Sequence, residues 1–331
     1  MPRALRISAL VLEGLLLAAL AAAPLLAQWL GKPFWLDLAT RLTILAMAAV
    51  SLNLLLGLGG LVSFGHAAFL GIGAYAVAIP AWHAIYGGAP WLASSSGLFH
   101  FALAAAAGGA FALATGFLAL RTRGVHFIMI TMAFGQMVFF LLQALETYGG
   151  DDGLTIDARS ELPLISLDDP ATMHWLAFGL LAASLVLFLL VSRAPFGLTL
   201  AGARAEEGRM RALGYAVTRI RLAAYVLAGV MAALAGALMA DFSAYVSPSM
   251  AEWTRSGELM FMVILGGAGR VLGPVTGAAA FVLLEEALSS LTTYWHLPFG
   301  LLLIFAALWQ AGLFSAGGRA APVEETEGED G

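Results

Sequence analysis

Few polar side chains in this chain have the spacing that catalysis requires. Ser63 and His66 lie three residues apart, so on a helix they would share one face, and a serine beside a histidine can act as nucleophile and base. No carboxylate is evident that would orient the histidine. The six histidines lack the HExxH spacing of a zinc site. A membrane-embedded hydrolase or transferase is therefore only a minor alternative.

Metal and nucleotide chemistry also lack their residue patterns. The chain has no cysteine, which excludes disulfides and thiolate metal sites. Asp151 and Asp152 resemble a calcium loop, but the required alternation and the closing glutamate are missing. The Gly-Ala-Gly run at 267–269 has no Lys-Ser/Thr pair after it, as a phosphate-binding loop would. We therefore expect no metal, no cofactor and no ATP hydrolysis in this chain.

The composition is that of a membrane protein. Of 331 residues, 61% are hydrophobic and 11% charged, and the mean hydropathy is +0.89. A soluble domain would carry about 25% charged residues. Apolar runs of about 20 residues predict an all-α, polytopic helical membrane protein. The net charge of −5 gives no sign of nucleic-acid binding. It comes from five acidic residues in the tail, 319–331, since the other charges of the chain balance. This tail is predicted to be disordered and cytoplasmic, after a membrane domain at 1–318.

About ten transmembrane segments are predicted from the apolar runs. The first run follows Arg3 and Arg6 and is too long for the core of a signal peptide, so we expect a retained span. The predicted segments are 7–30, 38–58, 67–86, 98–120, 125–146, 172–193, 220–242, 256–272, 274–293 and 296–315.

The distribution of basic residues predicts a cytoplasmic N-terminus. With ten spans, twelve of the sixteen Lys and Arg residues fall on the inner side, where such residues are enriched. The four on the outer side are Lys32, Arg41, Arg159 and Arg255.

Two glycine-rich interruptions divide the apolar segments, one at 57–75 and one at 266–274. Broken helices at membrane depth persist only where they are packed in protein or line a wet cavity, and in transporters they often form the substrate site. Close helix packing is the alternative role for these glycines. The candidate residues of a translocation pathway are Asn53, Gly60, Ser63, Gly65, His66, Glu285 and Glu286.

Carboxylates within the spans need partners or water. Glu285 and Glu286 are adjacent and point about 100° apart on a helix, so at most one faces a given cavity; subunit packing and pathway lining are equally open for them. Asp241 and Glu258 lie near outer ends and are expected to reach water. Glu13 is expected to reach the cytoplasmic interface.

A long basic passage, 193–221, connects two spans on the predicted inner side. Pro195 and Gly197 are expected to break the preceding helix. Helix-favouring residues follow to Leu213, and Gly214 is suited to a left-handed stop. Glu207 precedes Arg211 by four residues, the favourable order for an ion pair. Such an amphipathic helix between spans is suited to the lipid surface or to a groove of another protein.

The outer loop, 147–171, is acidic and too long for a tight connection. Asp151 and Asp152 within it are candidate docking residues for an external protein.

Several blocks resemble the permeases of branched-chain amino acid ABC transporters, in the order of the M-type subunit. They are SLNLLLGLGGLVSFGHAAFLGIGAYAVA from Ser51, RTRGVHFIMITMAFGQMVFFL from Arg121, GGDDGL from Gly149, RAEEGRMRALGYAVTRIRLAAYVLAGVMAALAGAL from Arg204 and GGAGRVLGPVTGAAAFVLLEEALSSL from Gly266. The close spacing of Ile220 and Leu222 after Gly214 departs from sugar and peptide importers, and the Asp pair in GGDDGL departs from urea permeases.

This resemblance implies a permease subunit of an importer in a bacterial-type cytoplasmic (inner) membrane. It implies an H-type permease partner, two ATP-binding subunits that carry ATP and Mg²⁺, and an extracytoplasmic amino-acid-binding protein. It also implies that 203–214 is one helix that docks into an ATP-binding subunit. The ATPase-coupling residues would be Ala203, Arg204, Glu206, Glu207, Arg209, Met210, Arg211, Leu213 and Gly214.

Two alternative functions remain at this stage. The first is an ABC permease for urea, amides or other small solutes. The second is an ion-coupled secondary transporter, in which Glu285 or Glu286 would bind the coupling ion.

Overall fold

The computed structural model describes residues 3–163, 166–291, 294 and 297–301. Within them the chain is mainly helical, as the composition predicts. The acidic tail, 319–331, and most of the last predicted segment lie outside the described residues, so both stay predictions.

Eleven α-helices have both ends in the described part of the chain, each over an apolar or amphipathic run, and residues 297–301 are helical as well. Their bounds are α1 Arg3–Leu30, α2 Pro33–Asn53, α3 Ala67–Tyr86, α4 Gly97–Ala119, α5 Val125–Gln143, α6 Pro170–Arg193, α7 Pro195–Ala205, α8 Glu207–Ala212, α9 Val217–Ser243, α10 Trp253–Gly266 and α11 Gly273–Leu291. Proline occupies the first turn of α2, α6 and α7, where its missing N–H has no partner to lose. One π-helical turn, Leu54–Leu58, extends α2.

Seven of the described helices are long and apolar enough to cross a membrane: α2 with its π turn, α3, α4, α5, α6, α9 and α11. The apolar part of α1, Glu13–Trp29, and the 14-residue α10 are shorter. Nine of the ten predicted segments thus have a counterpart among these eleven helices, and the described residues of the tenth, 297–301, are helical as well. The count of ten spans and the side of the N-terminus stay predictions.

Helix α9 is the centre of the packing. Its 27 residues contact α2, α3 and α4. Small residues on it allow these approaches: a Cβ on Gly236 would lie 2.0 Å from the carbonyl oxygen of Leu70 in α3, and one on Gly229 would lie 2.8 Å from Ala112 in α4. Such contacts between small residues are how membrane helices associate without a hydrophobic driving force.

A two-stranded antiparallel pair lies at the C-terminal end of α9. Strand β1, Leu154–Thr155, pairs with β2, Tyr245–Val246, with Leu154 opposite Val246. The loop predicted to be extramembranous is therefore bound to the end of α9 by backbone hydrogen bonds.

The chain divides into two compact units at Leu283. The first holds α1 to α10 and the beginning of α11. The second begins with the last turns of α11, which contain Glu285 and Glu286.

Candidate functional site

The basic passage folds as a helix–turn–helix between α6 and α9. Helix α6 ends at Arg193, Ala194 is extended, and Pro195 starts α7. Pro195 thus ends the preceding helix as predicted, but Gly197 does not break a helix. It lies inside α7, where a Cβ would come within 2.1 Å of the carbonyl oxygen of Val191, so its role is close packing on the end of α6.

The predicted single helix over 203–214 is wrong, because the chain forms two helices there. Glu206 has φ −153° and ψ 94°, an extended conformation that separates α7 from α8. The two helices fold onto each other, and a Cβ on Gly202 would lie 3.0 Å from the sulfur of Met210. We call the pair α7 and α8 the coupling helices, after the role that the resemblance implies for them.

Glu207 is the electrostatic centre of the coupling helices. Its carboxylate pairs with Arg211 at 2.6 Å, the predicted pair, with Arg123 at 3.0 Å and with Arg221 at 2.9 Å. Partial burial acts to raise the pKa of Glu207, but the hydrogen bond and charge of Arg221, with the charges of Arg123 and Arg211, lower it overall. Arg221 also donates to the carbonyl oxygen of Ala203, 3.1 Å away. One carboxylate therefore fastens α8 to α9 and to the connection between α4 and α5.

One surface of the coupling helices is exposed to solvent in the described structure. Gly214 has φ +87°, the left-handed stop that its position predicts. Leu213 is 66% exposed, and Arg209 and Glu206 are exposed beside it. An exposed leucine among charged groups suits a partner surface, although lipid contact would satisfy it as well.

Arg204 connects the coupling helices to the first glycine-rich interruption. Its Nη1 donates to the carbonyl oxygen of Gly57, and its aliphatic stem covers Gly60. Gly60 has φ +66°, and a Cβ there would lie 2.7 Å from Cγ of Arg204. Only glycine meets both requirements easily. The two motifs singled out from the sequence are thus in direct contact.

The interruption itself is non-helical from Gly60 to Ser63, so Ser63 and His66 do not share the helical face considered for them. Both side chains are fully buried. His66 is hydrogen-bonded through Nε2 to Ser51, 2.8 Å away, rather than to Ser63. A Cβ on Gly65 would come within 2.0 Å of the carbonyl oxygen of Thr131, so the segment packs closely on α5.

Asn53 joins the first interruption to the second. Its Nδ2 donates to the carbonyl oxygen of Arg270 at 2.9 Å, and its Oδ1 accepts from the N–H of Gly269 at 2.8 Å. A Cβ on Gly57 would lie 2.4 Å from the Gly269 nitrogen. The interruptions predicted in separate halves of the sequence therefore pack on each other, and buried Asn53 satisfies backbone groups that a broken helix leaves free.

Two carboxylates are buried and hydrogen-bonded. Glu13 is only 6% exposed and pairs with Arg270 of the second interruption, and its predicted approach to the cytoplasmic interface stays a prediction. Asp241 was expected to reach water, but it is 0% exposed and accepts hydrogen bonds from the N–H and hydroxyl of Ser160 at 3.1 and 2.7 Å. Ser160 is also hydrogen-bonded to His100, 2.7 Å away. The position of Asp241 along its span could not predict this, because its partner Ser160 is 81 residues away in the sequence.

The remaining candidates lie elsewhere in the chain. Glu258 pairs with Arg255 at 2.8 Å and keeps a partly exposed side chain. Asp151 and Asp152 are exposed in a 3₁₀ turn, with Asp151 accepting from Gln143 at 2.7 Å. Glu285 and Glu286 are half-buried in the second unit, and their predicted place in a pathway stays a prediction.

Arg123 and Arg221 are partners that sequence reasoning did not assign. Both belong to quoted motifs, and a search for cations able to neutralise Glu207 would have found them. Among the described residues no group of three or more His, Cys, Asp or Glu side chains is placed to hold a metal ion.

The site is that of a helical membrane protein whose interior breaks are connected to an exposed, charged helix pair. A family model described as the permease component of branched-chain amino acid transport systems matches residues 34–308. The chain belongs to this family, which confirms the resemblance found in its motifs.

Individual relatives agree with the family match. The chain is 28% identical over 299 residues to the high-affinity branched-chain amino acid transport system permease protein LivM of Salmonella typhimurium, covering 83% of this chain and 68% of the relative. The same figures hold for LivM of Escherichia coli K12. Ribose import permease protein RbsC of Bacillus subtilis is 28% identical over 120 residues, covering 35% of this chain and 37% of the relative. No solved structure matches the chain.

Proposed function

We propose that this chain is the M-type permease subunit of an ATP-driven importer for branched-chain amino acids. Its partners are an H-type permease, two ATP-binding subunits that hold ATP and Mg²⁺, and an extracytoplasmic amino-acid-binding protein. The assembly lies in a bacterial cytoplasmic (inner) membrane with the coupling helices on the cytoplasmic side. The chain itself is not an enzyme in this proposal.

The observation that carries the proposal is the continuous set of contacts from the coupling helices to the interior. Glu207 fastens α8 to α9, Arg204 joins α7 to Gly57 and Gly60, and Gly57 contacts the second interruption. A displacement of the coupling helices is therefore transmitted to both glycine-rich interruptions through packed atoms and hydrogen bonds. A permease driven by separate ATP-binding subunits needs such a connection between its surface and its interior.

The mechanism is alternating access. Closure of the ATP-binding pair moves the coupling helices, which shifts the broken segments and exchanges an outward opening for an inward one. The short non-helical stretch at 60–63 and the glycine contacts are places where backbone angles change without unfolding a span.

Uptake into reconstituted vesicles tests the function. We expect radiolabelled leucine to accumulate only when both permeases, the ATP-binding subunits, the binding protein and ATP are present. Accumulation driven by an ion gradient without the ATP-binding subunits would instead indicate a secondary transporter. ATP-dependent uptake of urea or amides without branched-chain amino acids would identify the other alternative.

A further inference from the structure

One cavity at the far end of α9 from the coupling helices has charges that the proposed mechanism does not use. It has a volume of about 320 Å³ and lies where α2, α6, the end of α9 and the outer loop meet. Its lining residues are Asp37, Thr40, Arg159, Pro170, Met173, Phe242 and Ser243. An apolar cavity of about 150 Å³ already holds a molecule the size of benzene, so this volume is ample for an amino acid of leucine size.

The cavity is lined by one acid and one base that are not paired with each other. Asp37 and Arg159 both line it, yet no ion pair or hydrogen bond joins them within the described residues. Arg159 uses Nη1 to donate to the carbonyl oxygens of Leu167 and Asp168, at 3.0 and 3.4 Å, while its Nη2 makes no hydrogen bond to the described part of the chain. A ligand with one positive and one negative group could pair with both of these side chains at once.

The rest of the lining suits an aliphatic body. Met173, Phe242 and Pro170 supply the apolar surface, and Met173 is 2% exposed. The Thr40 hydroxyl donates to the carbonyl oxygen of Leu36 at 2.8 Å and is hydrogen-bonded to His174 at 3.0 Å, so Thr40 is held in place. Small-molecule sites usually combine apolar lining with a few fixed polar groups, and here three apolar residues lie beside four polar ones.

The charged groups are positioned by the fold rather than by each other. Ser160, next to Arg159, is held by buried Asp241 of α9. Asp169 caps α6 by accepting from the N–H groups of Ala171 and Thr172, which fixes Pro170 and Met173 at the first turn. Asp37 lies in the second turn of α2. The geometry is therefore set before any ligand arrives, which lowers the ordering that binding would require.

We infer that this cavity binds a zwitterionic α-amino acid with an aliphatic side chain, its carboxylate on Arg159 and its ammonium on Asp37. The inference rests on the proposed function for the nature of the cargo, and it places a cargo site at the end of the permease opposite the coupling helices. A zwitterionic lipid headgroup with a primary ammonium has related chemistry and is the alternative source of the ligand.

Ligand selectivity of the full chain in lipid nanodiscs tests the inference. The probes are L-leucine, 4-methylpentanoate, which lacks the ammonium, and 3-methylbutylamine, which lacks the carboxylate. Wild type is expected to prefer leucine to either analogue by about tenfold, the effect of one hydrogen bond to a charged group. Asp37→Asn should lose only the preference over 4-methylpentanoate, and Arg159→Gln only the preference over 3-methylbutylamine.

Because each readout is a ratio within one preparation, partial loss of folded protein does not change it. Glu252→Gln and Lys32→Gln replace an acid and a base near the same end of the molecule that do not line the cavity, and both should keep the wild-type ratios. Unchanged ratios in both cavity variants would overturn the inference.

The lipid arm uses nanodiscs with and without phosphatidylethanolamine. Leucine binding in its absence supports the inference. Retention of phosphatidylethanolamine in native mass spectra, lost in both cavity variants, with no leucine binding to wild type would assign the cavity to lipid. ATP-dependent leucine uptake by the wild-type assembly with unchanged ratios rejects the site alone, whereas wild-type selectivity without such uptake rejects the proposed function alone.

Discussion

At the scale of single residues, Glu207 has the most consequences, because one carboxylate holds three arginines from three parts of the chain. Replacing it by lysine puts a fourth cation among them, and like charges at this distance repel. We expect Glu207→Lys to abolish ATP-dependent uptake while membrane insertion persists. Glu252→Lys, which makes the same charge reversal outside the coupling helices, is the control and should transport normally. Wild-type uptake by Glu207→Lys would contradict the role of the coupling helices.

The same residue predicts a pH dependence. Since the pKa of Glu207 is lowered in the folded protein, folding favours the ionised carboxylate, and this stabilisation is complete above the ordinary value of 4.5. It is lost as the pH falls through the lowered folded-state pKa. The difference in unfolding temperature between wild type and Glu207→Gln should therefore be constant from about pH 8 to pH 6 and shrink below about pH 4.5. A difference that grew on acidification would have the wrong sign.

At the scale of elements, α8 is a six-residue helix that depends on its neighbours. Helices this short are not stable alone in water. Proline at Met210 removes the N–H that bonds to the carbonyl oxygen of Glu206, and a proline inside a helix costs about 3 kcal/mol. Met210→Pro should therefore lose uptake and keep its spans inserted, whereas Met210→Ala should keep much of its activity. Equal uptake by the two variants, measured at equal membrane abundance, would count against α8 as the coupling element.

The contact between the two glycine-rich interruptions gives a prediction about packing. A Cβ on Gly57 would meet the Gly269 backbone at 2.4 Å, and backbone cannot give way as a flexible side chain can. Gly57→Ala should destabilise the protein by about 1–3 kcal/mol and lower its unfolding temperature in detergent. Gly179→Ala, in α6 with no atom within 4 Å of its Cβ position, should be neutral or slightly stabilising. Identical melting of the two variants would mean that the interruptions do not pack as described.

Sequence patterns predicted the elements better than their connections. Apolar runs predicted nine of the helices, although the segment at 256–272 ends at Gly266, because a membrane span is recognised by its length and apolar composition. Glu206 is extended because α8 folds back on α7, which brings Met210 against Gly202. Asp241 is buried because Ser160 of the outer loop hydrogen-bonds to it. The helix propensities of single residues predict neither of these contacts. Asn53 hydrogen-bonds backbone groups at 269 and 270, more than 200 residues away, and no sequence pattern predicts these partners.

At the scale of the whole molecule, the predicted orientation can be tested without first removing native thiols, since the chain has none. Single cysteines replacing exposed Asp157 and exposed Arg209 report on the outer loop and on α8. In right-side-out vesicles a membrane-impermeant maleimide should label Asp157→Cys at once and Arg209→Cys only after permeabilisation. The opposite pattern would invert the topology and reject the proposed site of ATPase contact.

Helix α9 has a further mechanical consequence. It is a single unbroken rod of 27 residues, with the Arg221 contacts near one end and the β pair at the other. Such a rod is about 40 Å long, so a tilt of about 5° about one end displaces the other by about 3 Å. A rigid α9 would therefore couple ligand binding at one end of the helix to partner binding at the other, even without any change in the two glycine-rich interruptions.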